Sequence, residues 1–163
     1  MVTCSYALGF ILRCGDKVIR FTGDTGWNEL LEAENSKFMD IKQIDKVDIL
    51  IPHLGSVKAT EFNFDHDKSL LQNMQNDIFY KNHLGVLGCI CMMHKHHPDL
   101  VIFSEFGEEL NSIRKDLVDR ISKAMKMQAL PGDIGLHVNF EEMSIYCMRS
   151  DKFVPMDVIE AHQ

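Results

Sequence analysis

Hydrophobic and polar positions change period several times along the chain, and each change predicts an element. Residues 5–13 (SYALGFILR) and 17–22 (KVIRFT) are β-prone runs parted by Cys14-Gly15-Asp16, a turn-rich gap that predicts a hairpin. A stop follows at Gly23-Asp24-Thr25-Gly26. Residues 27–34 (WNELLEAE) predict a short helix, and 47–51 (VDILI) a buried strand ended by Pro52. The stretch from 57 to 82 is polar and mixed, a predicted loop or lid with a helical piece around 68–76. Residues 84–94 (LGVLGCICMMH) are apolar on nearly every side, which predicts a buried helix opening near His83 and ended by Pro98. Residues 100–103 (LVIF) predict another buried strand. From 108 to 126, Leu110, Ile113, Leu117, Ile121 and Ala124 recur at helical spacing. Glu108 and Glu109 stand at the start of that run and Lys123 and Lys126 at its end, as the helix dipole favours. Leu130-Pro131-Gly132-Asp133 breaks the pattern, and 135–140 with 144–149 predict a closing pair of strands. The sum is one α/β domain over residues 1–163 with mixed strands, and no repeat or long linker.

Composition narrows the function classes. With 163 residues, 45% hydrophobic and 25% charged, the chain has the balance of a folded domain and not of a disordered one. A net charge of −7 argues against extended capture of nucleic acid or of an anionic membrane surface, while a local basic pocket stays open. No apolar stretch approaches the roughly 20 residues of a membrane span, and the start MVTCSYALGF lacks a basic leader and a small-residue cleavage site. Five cysteines, an odd number, fit a reducing compartment better than a disulfide scaffold, so a cytoplasmic protein without membrane association is expected. Cys89 and Cys91 lie in an apolar run and read as buried thiols, a redox or metal pair being the other reading.

Three strand-like runs end in a group able to bind metal or move a proton. Residues 17–22 lead to Asp24, 47–51 to His53 and 100–103 to Glu105. Strand ends carry sites in layered α/β folds because the strands hold the loops rigid yet exposed. Each residue has a plainer reading: Asp24 as a turn former, His53 as a loop residue after Pro52, Glu105 as a cap of the following helix. Together they suggest oxygen and nitrogen ligands converging at one sheet edge, as in metal-assisted hydrolysis. Asp133 reads as a turn residue or a contributor to that edge. His94, His96 and His97 read as a solvated helix end favoured by the C-terminal dipole.

The ordered set GFILRCGDKVIRFTGDTGW, VDILIPHLGS, NHLGVLG and PDLVIFSEFGEEL resembles the C-terminal half of the metallo-β-lactamase-fold hydrolases, over residues 5–140. The resemblance implies half of an αββα sandwich. Thr22-Gly23-Asp24-Thr25 matches the motif whose aspartate bridges two metals, so Asp24 is implied as a metal ligand. His83 matches the helix-opening histidine of the branch similar to the tRNA 3′-processing endonucleases (RNase Z), a proton donor or phosphate contact. Ser104-Glu105-Phe106 matches the final Ser/Thr-His-Phe motif with Glu105 in place of the metal-binding histidine. That carboxylate shifts the expected ion from zinc toward manganese, magnesium or iron. His53 has no fixed family role and is expected to contact substrate or a ligand. The family's HxHxDH motif has no counterpart in the chain. The implied function is metal-dependent hydrolysis, with one or two Zn or Mn ions and a small-molecule or phosphoester substrate, and with activity of this chain alone in doubt. The rival expectation is a non-catalytic half-domain that binds a partner, either a second copy or the missing N-terminal half. On either reading, one face of the sheet is expected to lack a covering layer.

Overall fold

The computed structural model describes residues 9–27, 46–57, 61, 83–133, 135–139, 142–149 and 152–155, and the protein is mixed α/β. Strands β1 (Phe10–Cys14) and β2 (Lys17–Phe21) form the hairpin, antiparallel with Cys14 opposite Lys17. The two-residue turn places Gly15 at φ 63°, a conformation that costs glycine nothing. Strand β3 (Ile49–Ile51) lies parallel to β2, and β4 (His53–Gly55) follows it directly. Helix α1 (Gly85–His96) leads to β5 (Leu100–Phe106), helix α2 (Arg114–Met125) and β6 (Ala129–Pro131). Strands β3, β4 and β6 all pair with β5 in parallel.

Pro52 ends β3 at Ile51, as the sequence reading expects, but the chain resumes at once as β4. Ile49 pairs with Leu100 and His53 with Ser104, so β3 and β4 keep one register along β5. Pro52 has a carbonyl but no N–H, which costs the ladder one donor. Its carbonyl still accepts from the Ser104 N–H at 3.0 Å. The interruption is local.

Alternation along the strands sorts the core onto two faces. Val18, Leu50, Val101 and Phe103 face the helices and bury against Leu84, Met92 and Met93 of the α1 segment and Val118 and Ile121 of α2. Ile19, Ile49, Leu100 and Ile102 form the opposite face. Strands β7 (Leu136–Asn139), β8 (Ser144–Arg149) and β9 (Lys152–Pro155) make a separate antiparallel sheet, and its Leu136, Val138 and Ile145 cover that second face. Ile19, Ile49 and Leu100 are at most 3% exposed as a result. The expectation of a sheet face left without a layer is therefore corrected: the C-terminal strands supply it. Each such buried side chain contributes about 1.5–3 kcal/mol relative to exposure.

Two further expectations change. The helix expected from 108 begins only at Arg114, because Glu108–Leu110 form a 3-10 turn in which Leu110 is buried. The buried stripe of α2 accordingly centres on Val118 and Ile121, while Ile113 is 48% exposed. Strand β9 had no counterpart in the sequence reading. The predicted helices at 27–34 and 68–76 and the lid at 57–82 lie outside the described residues apart from Trp27, Val57 and Glu61. No helix among the described residues is long and apolar enough to cross a membrane.

Candidate functional site

Because β2, β3, β4, β5 and β6 all run parallel, their carboxyl ends share one edge of the sheet. Asp24 follows β2, His53 opens β4, and Glu105 is the penultimate residue of β5. The backbone of His53 is clamped on both sides. Its N–H donates to Thr22 Oγ1 at 2.9 Å, and its carbonyl accepts from the Leu84 N–H at 3.1 Å. Thr22 is fully buried, so its hydroxyl ties the Gly23-Asp24 turn to β4. The Leu84 bond ties the start of α1, and with it His83, to the same strand.

These clamps bring three of the four expected residues together. Asp24 Oδ1 lies 3.0 Å from His53 Nδ1 and 3.5 Å from His83 Nδ1. The carboxylate is 63% exposed, the two rings 22% and 27%. An ionised carboxylate only accepts, so neutral His53 carries its proton on Nδ1 and leaves the Nε2 lone pair available. A ring held by a carboxylate in this way can accept a proton or bind a metal through Nε2. His83 is seated by Gly55, which has φ 69° and faces the His83 ring so closely that no side chain would fit between them.

Glu105 stands between the β5 residues that pair with His53 and Gly55. It is exposed and adopts φ 54° inside a strand. The alternation that puts Val101 and Phe103 on the helix side would place Glu105 there too; instead Phe106 packs on that side. The left-handed residue turns the strand end by one position and frees the carboxylate, at a cost of about 1–3 kcal/mol of backbone strain. Strain of this kind gathers at functional sites. On the side of β5 away from β4, a cavity of about 430 Å³ is lined by Glu105, Phe106, Asn111, Arg114, Gly132 and Asp133. Arg114 Nε meets Asp133 Oδ1 at 2.9 Å, so Asp133 joins a helix start to the loop after β6 and is more than a turn former.

Imidazole nitrogens and carboxylate oxygens at one edge suit zinc or manganese in kind. Among the described residues, no group of three or more His, Cys, Asp or Glu side chains is arranged around a common point as a metal ion requires. Asp24 instead spends one oxygen on its two histidines, which leaves its other oxygen, the His53 Nε2 atom and Glu105 as the donors on offer.

The histidine cluster after α1 departs from the sequence reading. His94 and His97 are exposed, but His96 is 3% exposed and accepts from the guanidinium of Arg20 through Nε2. Burial, then Arg20 and Lys95, push its pKa down to about 3, so it is neutral and no favourable charge at the helix end. Burial also brings Arg20 down to about 10. Cys89 is buried and its thiol pushed well up, and Cys91 rises to about 11, both by burial; these thiols are inert packing.

Sequence reasoning missed three residues at this edge. Glu61 is buried and accepts the Leu87 N–H at 3.0 Å, which anchors the first turn of the helix that follows His83. Ser56 donates to Glu109 Oε1 and links the end of β4 to the 3-10 turn; that bond holds the Glu109 carboxyl below its ordinary range. Arg114 was hidden by the wrong helix start. None of these pairings has a local signal, since the partners lie tens of residues apart. Compared with known proteins, the chain matches no family model and no curated protein.

Proposed function

We propose that this chain forms the ligand-bearing edge of a metal-dependent hydrolase of the metallo-β-lactamase class, acting on a phosphoester. The observation that carries the reading is the Asp24 carboxylate held between His53 and His83 at the carboxyl edge of a parallel sheet. Asp24 and Glu105 would supply carboxylate oxygens to a divalent ion, which when bound supplies Lewis acidity toward the phosphoryl oxygen. Asp24 fixes the tautomer of His53, and the Thr22 and Leu84 bonds fix its position. His83, beside the opening turn of α1, would donate a proton to the departing oxygen. The partly exposed rings can exchange protons with water between turnovers.

Calorimetric titration with Zn²⁺ and Mn²⁺ tests the reading. Weak binding of about micromolar Kd or poorer is expected, because few protein ligands converge, and it should vanish in Asp24→Ala. Failure of both ions to bind refutes it. So does submicromolar zinc affinity that survives Asp24→Ala combined with Glu105→Ala.

A second reading, a partner-binding domain, is favoured by the hairpin edge. Phe10 and Leu12 of β1 are 52% and 48% exposed, and among the described strands β1 pairs only with β2. Apolar strand edges of this kind favour pairing with another chain. Light scattering at micromolar concentration decides it, a monodisperse monomer counting against it.

A further inference from the structure

We propose that the cavity beside Glu105 is the subsite for the phosphate group of the substrate, with Arg114 as the residue that recognises it; this rests on the phosphoester reading above. The cavity lies past the carboxyl ends of β5 and β6, since Phe106 closes β5 and Gly132 follows β6. Ligands in open α/β sheets gather outside those ends. Its volume of about 430 Å³ suits a small organic phosphate.

Chemistry separates phosphate from other ligands. Arg114 is the one cation in the lining. Asp133 occupies its Nε, and among the described residues no other hydrogen bond or ion pair engages the guanidinium. A guanidinium has five N–H donors in a planar fork, so four remain for an oxyanion. The side chain is 37% exposed, and those donors are wet and exchangeable. The Asn111 amide lines the same cavity and can add a neutral donor, while Phe106 offers apolar surface to the organic part of an ester. Glu105 and Asp133 stand against the single cation Arg114, so the lining is net negative and an anion on the remaining Arg114 donors is best accommodated together with a cation at Glu105. A ligand that satisfies both walls therefore brings a cation to Glu105 and an anion to Arg114. A phosphoester accompanied by a divalent ion does so; a neutral sugar or an amine satisfies at most one wall.

The test uses phenyl phosphate and inorganic phosphate as probes, by calorimetry and by ³¹P NMR with and without Mn²⁺. Saturable phenyl phosphate binding is expected, weakened at least about tenfold by Arg114→Gln, the loss for charged hydrogen bonds. Arg114→Lys should recover part of it, and Asp133→Asn, which keeps the cation, should bind within a fewfold of the parent. Thermal melts of each variant check that the fold persists. Phenyl phosphate should bind more tightly than the free ion, because Phe106 contacts only the ester. Unchanged affinity in Arg114→Gln, no saturation near about 1 mM, or a preference for inorganic phosphate would overturn the assignment. Broadening of the bound ³¹P line by Mn²⁺ that disappears in Asp24→Ala supports both readings. Arg114-dependent binding without any Mn²⁺ effect removes the metal reading and leaves the phosphate subsite standing.

Discussion

Replacing Gly55 by alanine should damage the site through one methyl group, and Gly15 provides the internal control. The two glycines have nearly the same backbone, φ 69° at Gly55 and 63° at Gly15. Forcing alanine into that region costs about 1–2 kcal/mol at either position. Their surroundings differ. A Cβ at Gly15 would meet nothing within 4 Å, whereas one at Gly55 would sit against Cδ2 of His83, 2.5 Å from its Cγ and 2.6 Å from its Cβ. The ring must then shift by about an ångström, at an overpacking cost of about 1–3 kcal/mol. Gly15→Ala should therefore lose about 1–2 kcal/mol and Gly55→Ala about 2–5 kcal/mol. Urea unfolding of both variants measures the difference. The imidazole NMR signals report whether His83 leaves Asp24, with no such change expected in Gly15→Ala. Equal losses in the two variants, with the His83 signals unmoved, would refute the seating of that ring against β4.

Three further outcomes are expected. His96 has a folded pKa of about 3 against an ordinary 6.5, so only the unfolded chain takes up its proton between those values. Its stabilisation is complete above pH 6.5 and falls by about 1.4 kcal/mol for each pH unit below it; denaturant titrations at pH 7 and 5 should show a loss of about 2 kcal/mol that His96→Gln lacks, and equal slopes would refute it. Asp48, 5% exposed, accepts the Val18 N–H at 2.7 Å and faces Lys17 and Lys46. Burial raises its pKa, but the amide and the two lysines outweigh that and hold it below 3.8. Asp48→Asn should thus cost about 1–3 kcal/mol at pH 7, and the gap to the parent should narrow in melts below pH 3.8 as the parent carboxylate protonates. Glu105→Asn should gain about 0.5–1 kcal/mol, since asparagine tolerates φ 54° better, while weakening Mn²⁺ affinity in the same calorimetric titration; a destabilised variant would show that the strain argument fails.

Period and turn chemistry were enough to make the hairpin, the β3 and β5 cores, α1 and the β7–β8 pair legible, because each depends on neighbours two to four residues away. Asp24, His53 and Glu105 could be nominated for the same reason, since they punctuate those runs, whereas His83 is implied only by the family resemblance. What the sequence could not determine depends on distant partners. The approach of Asp24 to the two rings follows from Thr22 and Leu84 bonding to opposite sides of His53, across 31 residues in each case. His96 is polar by type and reads as solvated; it is buried because β2 happens to place Arg20 beneath the last turn of α1. Leu110 continues a helical spacing, yet its burial against the core is met by a 3-10 turn, and α2 starts four residues later with Arg114 at the cavity. The second face of the sheet follows the same rule. Its isoleucines announce that they need a cover, but only packing shows that Leu136, Val138 and Ile145 provide it, because the hydrophobic effect rewards buried area without specifying which part of the chain supplies it.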